Sequence, residues 1–322
     1  MPNDFSTYMN TVAARFTELS QHLTPHAAYL SAVYMNPVPD TPMPPNATVK
    51  INLVDVDGDV VNAITTAPGT KNVTTTSTDL ALDDMPTKSF TVTSYESARV
   101  ADNPALIDQA ISKVMIQMIE YLNAKVAAKF VIGTYNVSGN TSSSVTNTNP
   151  AKVTFAEFVN LRKVLSARKI PLGDRANLFV VGHSEIYHQW LQDDNFIKVA
   201  AISDRKAGEL RDNGVIQPQY GFQFLEDPMS VTTGTSPNLT YSTAVFHRNA
   251  CVFAAAPLEP PSGSVNFRYA NVMGIPVLLT FSYDENLGAT GGPFNRITVR
   301  TLCNVKEHRK DHCVIHRSIL TA

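Results

Sequence analysis

One stretch sets the scale of any fold open to this chain. Residues 102–133, DNPALIDQAISKVMIQMIEYLNAKVAAKFVIG, read as one long helix with both ends marked. Asp102 and Asn103 can cap its N-terminus, Pro104 fits the first turn, where a missing N–H costs nothing, and Gly133 can close the C-terminus. Asp102 and Asp108 fall early and Lys125 and Lys129 late, the polarity that suits the helix dipole. Ile107, Ile111, Val114, Met118, Leu122, Val126 and Phe130 recur at steps of three or four, the signature of one buried stripe. Gln109, Lys113, Gln117, Glu120 and Asn123 fall on the opposite face. At the α-helical rise of 1.5 Å per residue such a helix runs for roughly 40 Å. That exceeds what an ordinary domain core requires, so the helix reads as a spine on which other elements hang. A long core helix of an α+β enzyme is the plainer alternative.

The chain before the spine divides in two. Over residues 4–23, Phe5, Met9, Val12, Phe16, Leu19 and Leu23 follow a helical period and predict an amphipathic helix. The Pro-rich tract VPDTPMPP at 38–45 separates it from the body, so it reads as an arm. Its apolar face can be buried on a neighbouring subunit or on the chain's own body. From residue 47 the pattern alternates, with Val49, Ile51 and Leu53 against Lys50 and Asn52. Asp57-Gly58 then supplies a hairpin turn before 60–66. PGTKNVTTTST at 68–78 reads as a Thr-rich tip, and residues 88–95 as the return strand. This excursion is too poor in large apolar residues to stand alone, so it must lie against something outside itself.

After the spine, TYNVSGNTSSSVTNTNPAK is a low-complexity loop. Thr154 is placed to cap a second helix, FAEFVNLRKVLSAR, which ends at Ile170-Pro171. Residues 177–181 read as a short buried strand, Ser184 as the cap of the helix EIYHQWLQD, and 193–218 as irregular. Strands follow at 222–226, 243–256 and 275–283, and a final hairpin pairs 296–305 with 312–319 around a turn at 307–311.

With 322 residues the chain can bury a sizeable core, and 43% hydrophobic residues suits a soluble protein. Only 17% are charged, while Thr, Asn, Ser and Pro are plentiful. A polar but weakly charged surface is expected where neighbouring subunits cover much of it. The 26 Lys and Arg against 28 Asp and Glu leave a formal net charge of −2, which argues against tight binding to a phosphate backbone. No apolar run of membrane length and no secretory signal pattern is present, so cytoplasmic synthesis is expected. Three cysteines do not make a disulfide framework. The sequons at Asn46, Asn72, Asn136, Asn140 and Asn238 then follow from a Thr-rich composition.

Chemical motifs are weak. Asp55, Asp57, Gly58 and Asp59 hint at a calcium loop, but Val60 and Thr66 stand where an EF-hand needs Gly and Glu. Gly182-His183-Ser184-Glu185 has the setting of a nucleophile elbow, yet Ile186 replaces the second glycine. Cys303, His308, His312, Cys313 and His316 are the best metal candidates, though their spacing matches no common zinc module. Gly288 to Gly292 lacks the Lys-Ser/Thr of a phosphate cradle, and Lys306, Arg309, Lys310 and Arg317 read as a solvated hairpin end. No catalytic, cofactor-binding or metal-ligating residue is assigned.

The order of elements (amphipathic arm, Pro-rich joint, coreless hairpin, spine, second helix, mixed β region) resembles the major capsid proteins of tailed bacteriophages, the Hong Kong ninety-seven-type fold. TDLALDDMPTKSFTVTSYESARV resembles the family's hairpin return strand. RKVLSARKIPLGDRANLFVVGHSEIYHQWLQDDNF resembles the helix, strand and helix that lead into its axial domain. FHRNACVFAAAPLEPP, with an Arg-Asn-Ala turn before a buried run, and VMGIPVLLTFSYDENLG resemble two later strands.

The resemblance implies an α+β fold with an arm at 1–46, an extended loop at 47–95, a peripheral domain at 96–171 and 263–305 holding the spine, and a mixed α/β axial domain at 172–262 and 306–322. It implies a non-enzymatic structural protein that assembles with itself, as hexamers and pentamers, into an icosahedral shell around double-stranded DNA touched only weakly and non-specifically. The virion is its expected location, without membrane contact or cofactor. Expected partners are a portal, a decoration protein and, since about 45 residues precede the hairpin, a separate scaffolding protein or none. Some family members cross-link a loop Lys to a neighbour's Asn. Lys71 stands at the loop tip, but no partner Asn or assisting Glu matches. The rival readings are an encapsulin-like nanocompartment shell and, from another class, a β-rich enzyme or adhesin.

Overall fold

The computed structural model describes residues 5–19, 26–55, 74–93, 105–131, 144–146, 155–170, 172–192, 216, 221–235, 238–262, 266–284 and 294–320. In chain order these form α1 (Phe5–Leu19), α2 (Ala28–Ala32), β1 (Tyr34–Met35), β2 (Thr48–Asp55), β3 (Thr74–Ala81), β4 (Thr87–Thr93), α3 (Ala105–Ala127), β5 (Ser144–Thr146), α4 (Phe155–Ala167), β6 (Leu178–Gly182) and α5 (Ser184–Gln192). The β-rich remainder holds β7 (Gln223–Glu226), β8 (Thr232–Thr235), β9 (Asn238–His247), β10 (Cys251–Ala256), β11 (Phe267–Val272), β12 (Ile275–Asp284), β13 (Phe294–Arg300), β14 (Leu302–Glu307) and β15 (Cys313–Leu320).

Helix α3 has 23 residues, about 34 Å at the α-helical rise. Ile111, Val114, Met118, Leu122 and Val126 are all buried, and so are Met115 and Ile119, which widen the apolar face. The helix stops at Ala127 and tightens, with Lys129 N–H bonding Val126 O and Phe130 N–H bonding Ala127 O. Residues 102–104 and Gly133 lie outside the described residues. One residue read as polar-facing is not exposed: Asn123 is 1% accessible.

The described residues form four sheets. β11–β12–β13–β4 is antiparallel, β1–β10–β14 is mixed, β5–β15–β9–β6–β7 carries β8 on β9, and β2–β3 is a two-stranded ribbon. The β6–β9–β15 sheet is buried on both faces, which explains why LFVVG reads as an unbroken apolar run. Phe179, Val181, Phe246 and Ile315 face one core together with α1, α2 and α3. Leu178, Val180, Val245 and Val314, on alternate positions, face a second core with Leu161 and Leu165 of α4 and Trp190 of α5. Helix α4, placed by the sequence reading with the spine, thus packs on the opposite side of this sheet.

Several pairings depart from the local reading. The partner of β2 is β3, in register from Thr48↔Ala81 to Asp55↔Thr74, so residues 74–78 of the stretch read as a Thr-rich tip are strand. Residues 56–73, including the Asp57-Gly58 turn and Lys71, lie outside the described residues. The expected return strand is β4, and it pairs with β13, from Phe294↔Thr93 to Arg300↔Thr87. The final hairpin does not form either: β14 pairs with β10, whereas β15 pairs with β9 and β5. Helix α1 settles the question of the arm, because Met9, Val12 and Phe16 join the main core of its own chain with Met115, Met118 and Val272.

Candidate assembly surfaces

The root of the β2–β3 ribbon is the best-defined surface feature. Val49, Ile51, Leu80 and Leu82 bury against Val252, Ala254 and Ala256 of β10 and Leu302 of β14. The ribbon root therefore rests on the chain's own body, which supplies the surface outside itself that the core-poor excursion needs. Polar bonds fix its angle. Asn304 Nδ2 donates to Ala81 O at 2.7 Å and to Asp83 Oδ1 at 2.8 Å, Lys306 Nζ donates to Asp79 O at 3.0 Å, and Asp84 and Cys303 exchange backbone bonds. Lys306, read as a solvated hairpin end, is thus part of this clamp. Burial pushes the Cys303 thiol up to about 12, so it is a structural thiol and not a nucleophile.

Beside the root, α3 offers a partly apolar ledge. Pro86, Thr87, Lys88, Gln117, Met118 and Tyr121 line a groove of ≈ 360 Å³. Met85 and Tyr121 are exposed large apolar residues here. Lys125 Nζ lies 2.7 Å from Asp84 Oδ2 and 5.6 Å from the centre of the Tyr121 ring. The hydrogen bond to Asp84 raises the Lys125 pKa.

Inside, α3 is tied to the rest of the chain by a buried polar network that the helical period could not reveal. Asn123 Nδ2 donates to Asp227 Oδ2 at 2.5 Å, and Leu30 N–H donates to Asn123 Oδ1 at 3.0 Å. Met229 N–H donates to Asp227 Oδ1 at 2.7 Å, and the hydroxyls of Tyr29 and Ser230 meet at 3.1 Å. Burial raises the Asp227 pKa, while the Asn123 and Met229 bonds oppose it. One amide on the long helix thus joins α2 to the turn between β7 and β8. At the surface, Arg15 of α1 reaches Asp108 of α3 at 3.7 Å, and Arg268 Nε donates to Asn10 Oδ1 at 2.6 Å.

The sequence-level chemical candidates are scattered. Cys303 sits on β14 in one sheet, and Cys313 and His316 on β15 in another. Among the described residues no group of three or more His, Cys, Asp or Glu is placed to hold a metal ion. Burial drives the His316 pKa down to about 4. In Gly182-His183-Ser184, the helix cap is His183, whose Nδ1 accepts from Glu185 N–H at 3.2 Å; Ser184 is the first helical residue. Gly182 is needed for packing, since a Cβ there would lie 2.7 Å from Cη2 of Trp190. Asp57, Asp59 and Gly288 to Gly292 lie outside the described residues. No helix among the described residues is long and apolar enough to cross a membrane.

No protein-family model matches the chain, and no curated protein matches it by sequence. Solved structures do. The capsid of Ralstonia phage GP4 matches with a TM-score of 0.54 at 11% identity, over 90% of this chain and 88% of that one. The mature capsid of bacteriophage PhiM1 gives 0.53 at 11% identity, over 91% and 87%. A chain of Mycobacterium phage Che8 gives 0.51 at 17% identity, over 84% of both. These matches span most of this chain and most of each of theirs, and this chain therefore has the phage capsid fold.

Proposed function

We propose that this chain is a major capsid protein, self-assembling as hexamers and pentamers of an icosahedral shell that encloses phage double-stranded DNA. The observation that carries this is the fold likeness to phage capsid chains across 90–91% of this chain and 87–88% of theirs. Three features support it. The β2–β3 ribbon has only two strands among the described residues, so its outer edges can pair with or lie on another copy. The clamp at its root fixes the direction in which it leaves the body. The weakly charged surface lets subunits pack without strong mutual repulsion.

In this assignment the extended loop expected at 47–95 is shortened to 47–86, since β4 pairs with β13, and α3 with the β4, β11–β13 sheet forms the peripheral domain. The β5–β9 and β15 sheet with α4 and α5 forms the axial domain. Each contact between copies is modest, and closure of the shell makes many act at once. The virion is its proposed location and a second copy of itself its first partner; a portal is a further proposed partner, and separate scaffolding or decoration proteins are optional ones. The test is negative-stain microscopy with light scattering of the expressed protein. Closed shells large enough for a genome are the expected result. A stable monomer of about 35.1 kDa that resists assembly would overturn the proposal, and small protein-filled shells would move it to a cargo compartment.

A further inference from the structure

Two sheets of this molecule share one continuous ribbon. β9 and β15 pair up to Phe246↔Cys313, and β10 and β14 resume pairing at Cys251↔Glu307. Both chains therefore cross from the six-stranded sheet to the three-stranded one at the same level. Each does so through a single 3₁₀ turn, Arg248–Ala250 on one side and Lys310–His312 on the other. The turns touch, and His308 N–H donates to Ala250 O at 2.9 Å. At their contact His247 and His312 meet edge-on, ring centres 5.4 Å apart at 90°, and both are buried.

The surroundings are poor at holding added protons. His247 Nδ1 is occupied by Asn249 N–H at 3.3 Å, and its Nε2 lies 3.5 Å from Asp174. His312 Nε2 lies 3.8 Å from Asp311, and its Nδ1 finds no hydrogen-bond partner among the described residues. Around the pair stand Arg248 on the first turn, Asp311 on the second with His308 and Arg309 just before it, and Asp174 from the loop before β6. Arg168, at the end of α4, donates to the carbonyls of Asp311 and Cys313. The two carboxylates are substantially exposed and screened, whereas the histidines are not.

We propose that the His247–His312 contact is a proton-operated hinge: with both rings neutral the turns stack and fix the angle between the two sheets, and protonation unstacks them. Burial holds both imidazoles below their usual range. The opened state binds protons from about pH 6.5, so opening becomes easier as pH falls below that value. His316 titrates lower, in mid-strand opposite Thr243, where it bears on the whole sheet and not on the hinge.

Hydrogen exchange with mass spectrometry on the full chain, at pH 7.5 and 5.5 and corrected for intrinsic rates, tests this. Peptides covering 247–250 and 308–312 should lose about tenfold or more of their protection at the lower pH, while β12 holds its own. His312→Phe keeps a ring at the contact and leaves only His247 to titrate, so it should make that loss smaller by about threefold or more; His312→Gln serves if Phe does not fold. The hinge is overturned if these peptides keep their protection at pH 5.5, if β12 loses protection in step, or if the variants retain the wild-type loss.

Discussion

Replacing Asn123 with Ala asks whether one buried amide holds the long helix to the rest of the molecule. The substitution removes the bond to the Asp227 carboxylate and the bond from Leu30 N–H. A hydrogen bond to a charged group is worth about 1.5–3 kcal/mol and a neutral one about 1 kcal/mol. Both surviving partners are left in a site where water does not replace what is lost, since Asp227 is 2% exposed. The expected loss is therefore about 3–4 kcal/mol. With about 2.1 cal/mol/K per residue, the 322-residue chain has an unfolding entropy near 0.7 kcal/mol/K. The midpoint should thus fall by about 5 °C in a thermal melt followed by circular dichroism.

The pH dependence of that loss gives a second reading. Burial already raises the Asp227 pKa, and Asn123 is the largest influence opposing it. Its removal pushes the folded value further above the unfolded one near 3.9. The charged form is then penalised most at neutral pH, and the deficit shrinks as pH falls through the folded value and the carboxyl protonates. A drop under about 1 °C at pH 7, or a deficit that grows on acidification, would refute the assignment of Asn123 as the tie.

Two further substitutions probe the local packing. Gly182→Ala places a methyl 2.7 Å from Cη2 of Trp190, which is itself held between Tyr187 and Phe224. Overpacking should cost about 1–3 kcal/mol in chemical denaturation, and the cost should largely vanish in a Trp190→Leu background; equal costs in both would remove the clash from the account. Lys169 closes α4 at φ 57, with Ile170 N–H reaching back to Leu165 O. Lys169→Gly should raise the urea midpoint by an amount worth about 1 kcal/mol at unchanged slope, and a lowered midpoint would contradict the strain.

What could be read from the sequence was what depends on near neighbours. The stripe from Ile111 to Val126 follows from a period that the helix itself imposes, and each of those residues is buried. Asn123 was misplaced because periodicity registers polarity, not whether a polar group has a partner some 100 residues away. β3 was missed because TTTSTDLA has the composition of a loop; its strand state comes from pairing with β2 and from Leu80 entering the third core. The expected final hairpin failed for the converse reason. Residues 294–320 alternate well enough to pair with one another, but Thr301, fully buried and bonded to Pro276 O, separates β13 from β14 and sends them to different sheets. Register of that kind is decided across long sequence distances, where local pattern is silent.

The position of β15 has a consequence for how the chain comes off the ribosome. Residues 313–320 lie between β5 and β9, inside the sheet and not at its edge. Among the described residues β5 has no other strand partner, and the two cores on either face both take side chains from β15, Ile315 on one and Val314 on the other. Everything between residues 144 and 247 that depends on this sheet must remain incomplete until that late segment has been synthesised. Such long-range closure is slow and leaves apolar surface open to other nascent copies, so yield should respond to translation rate and chaperone supply more steeply than the melting temperature of the finished protein suggests.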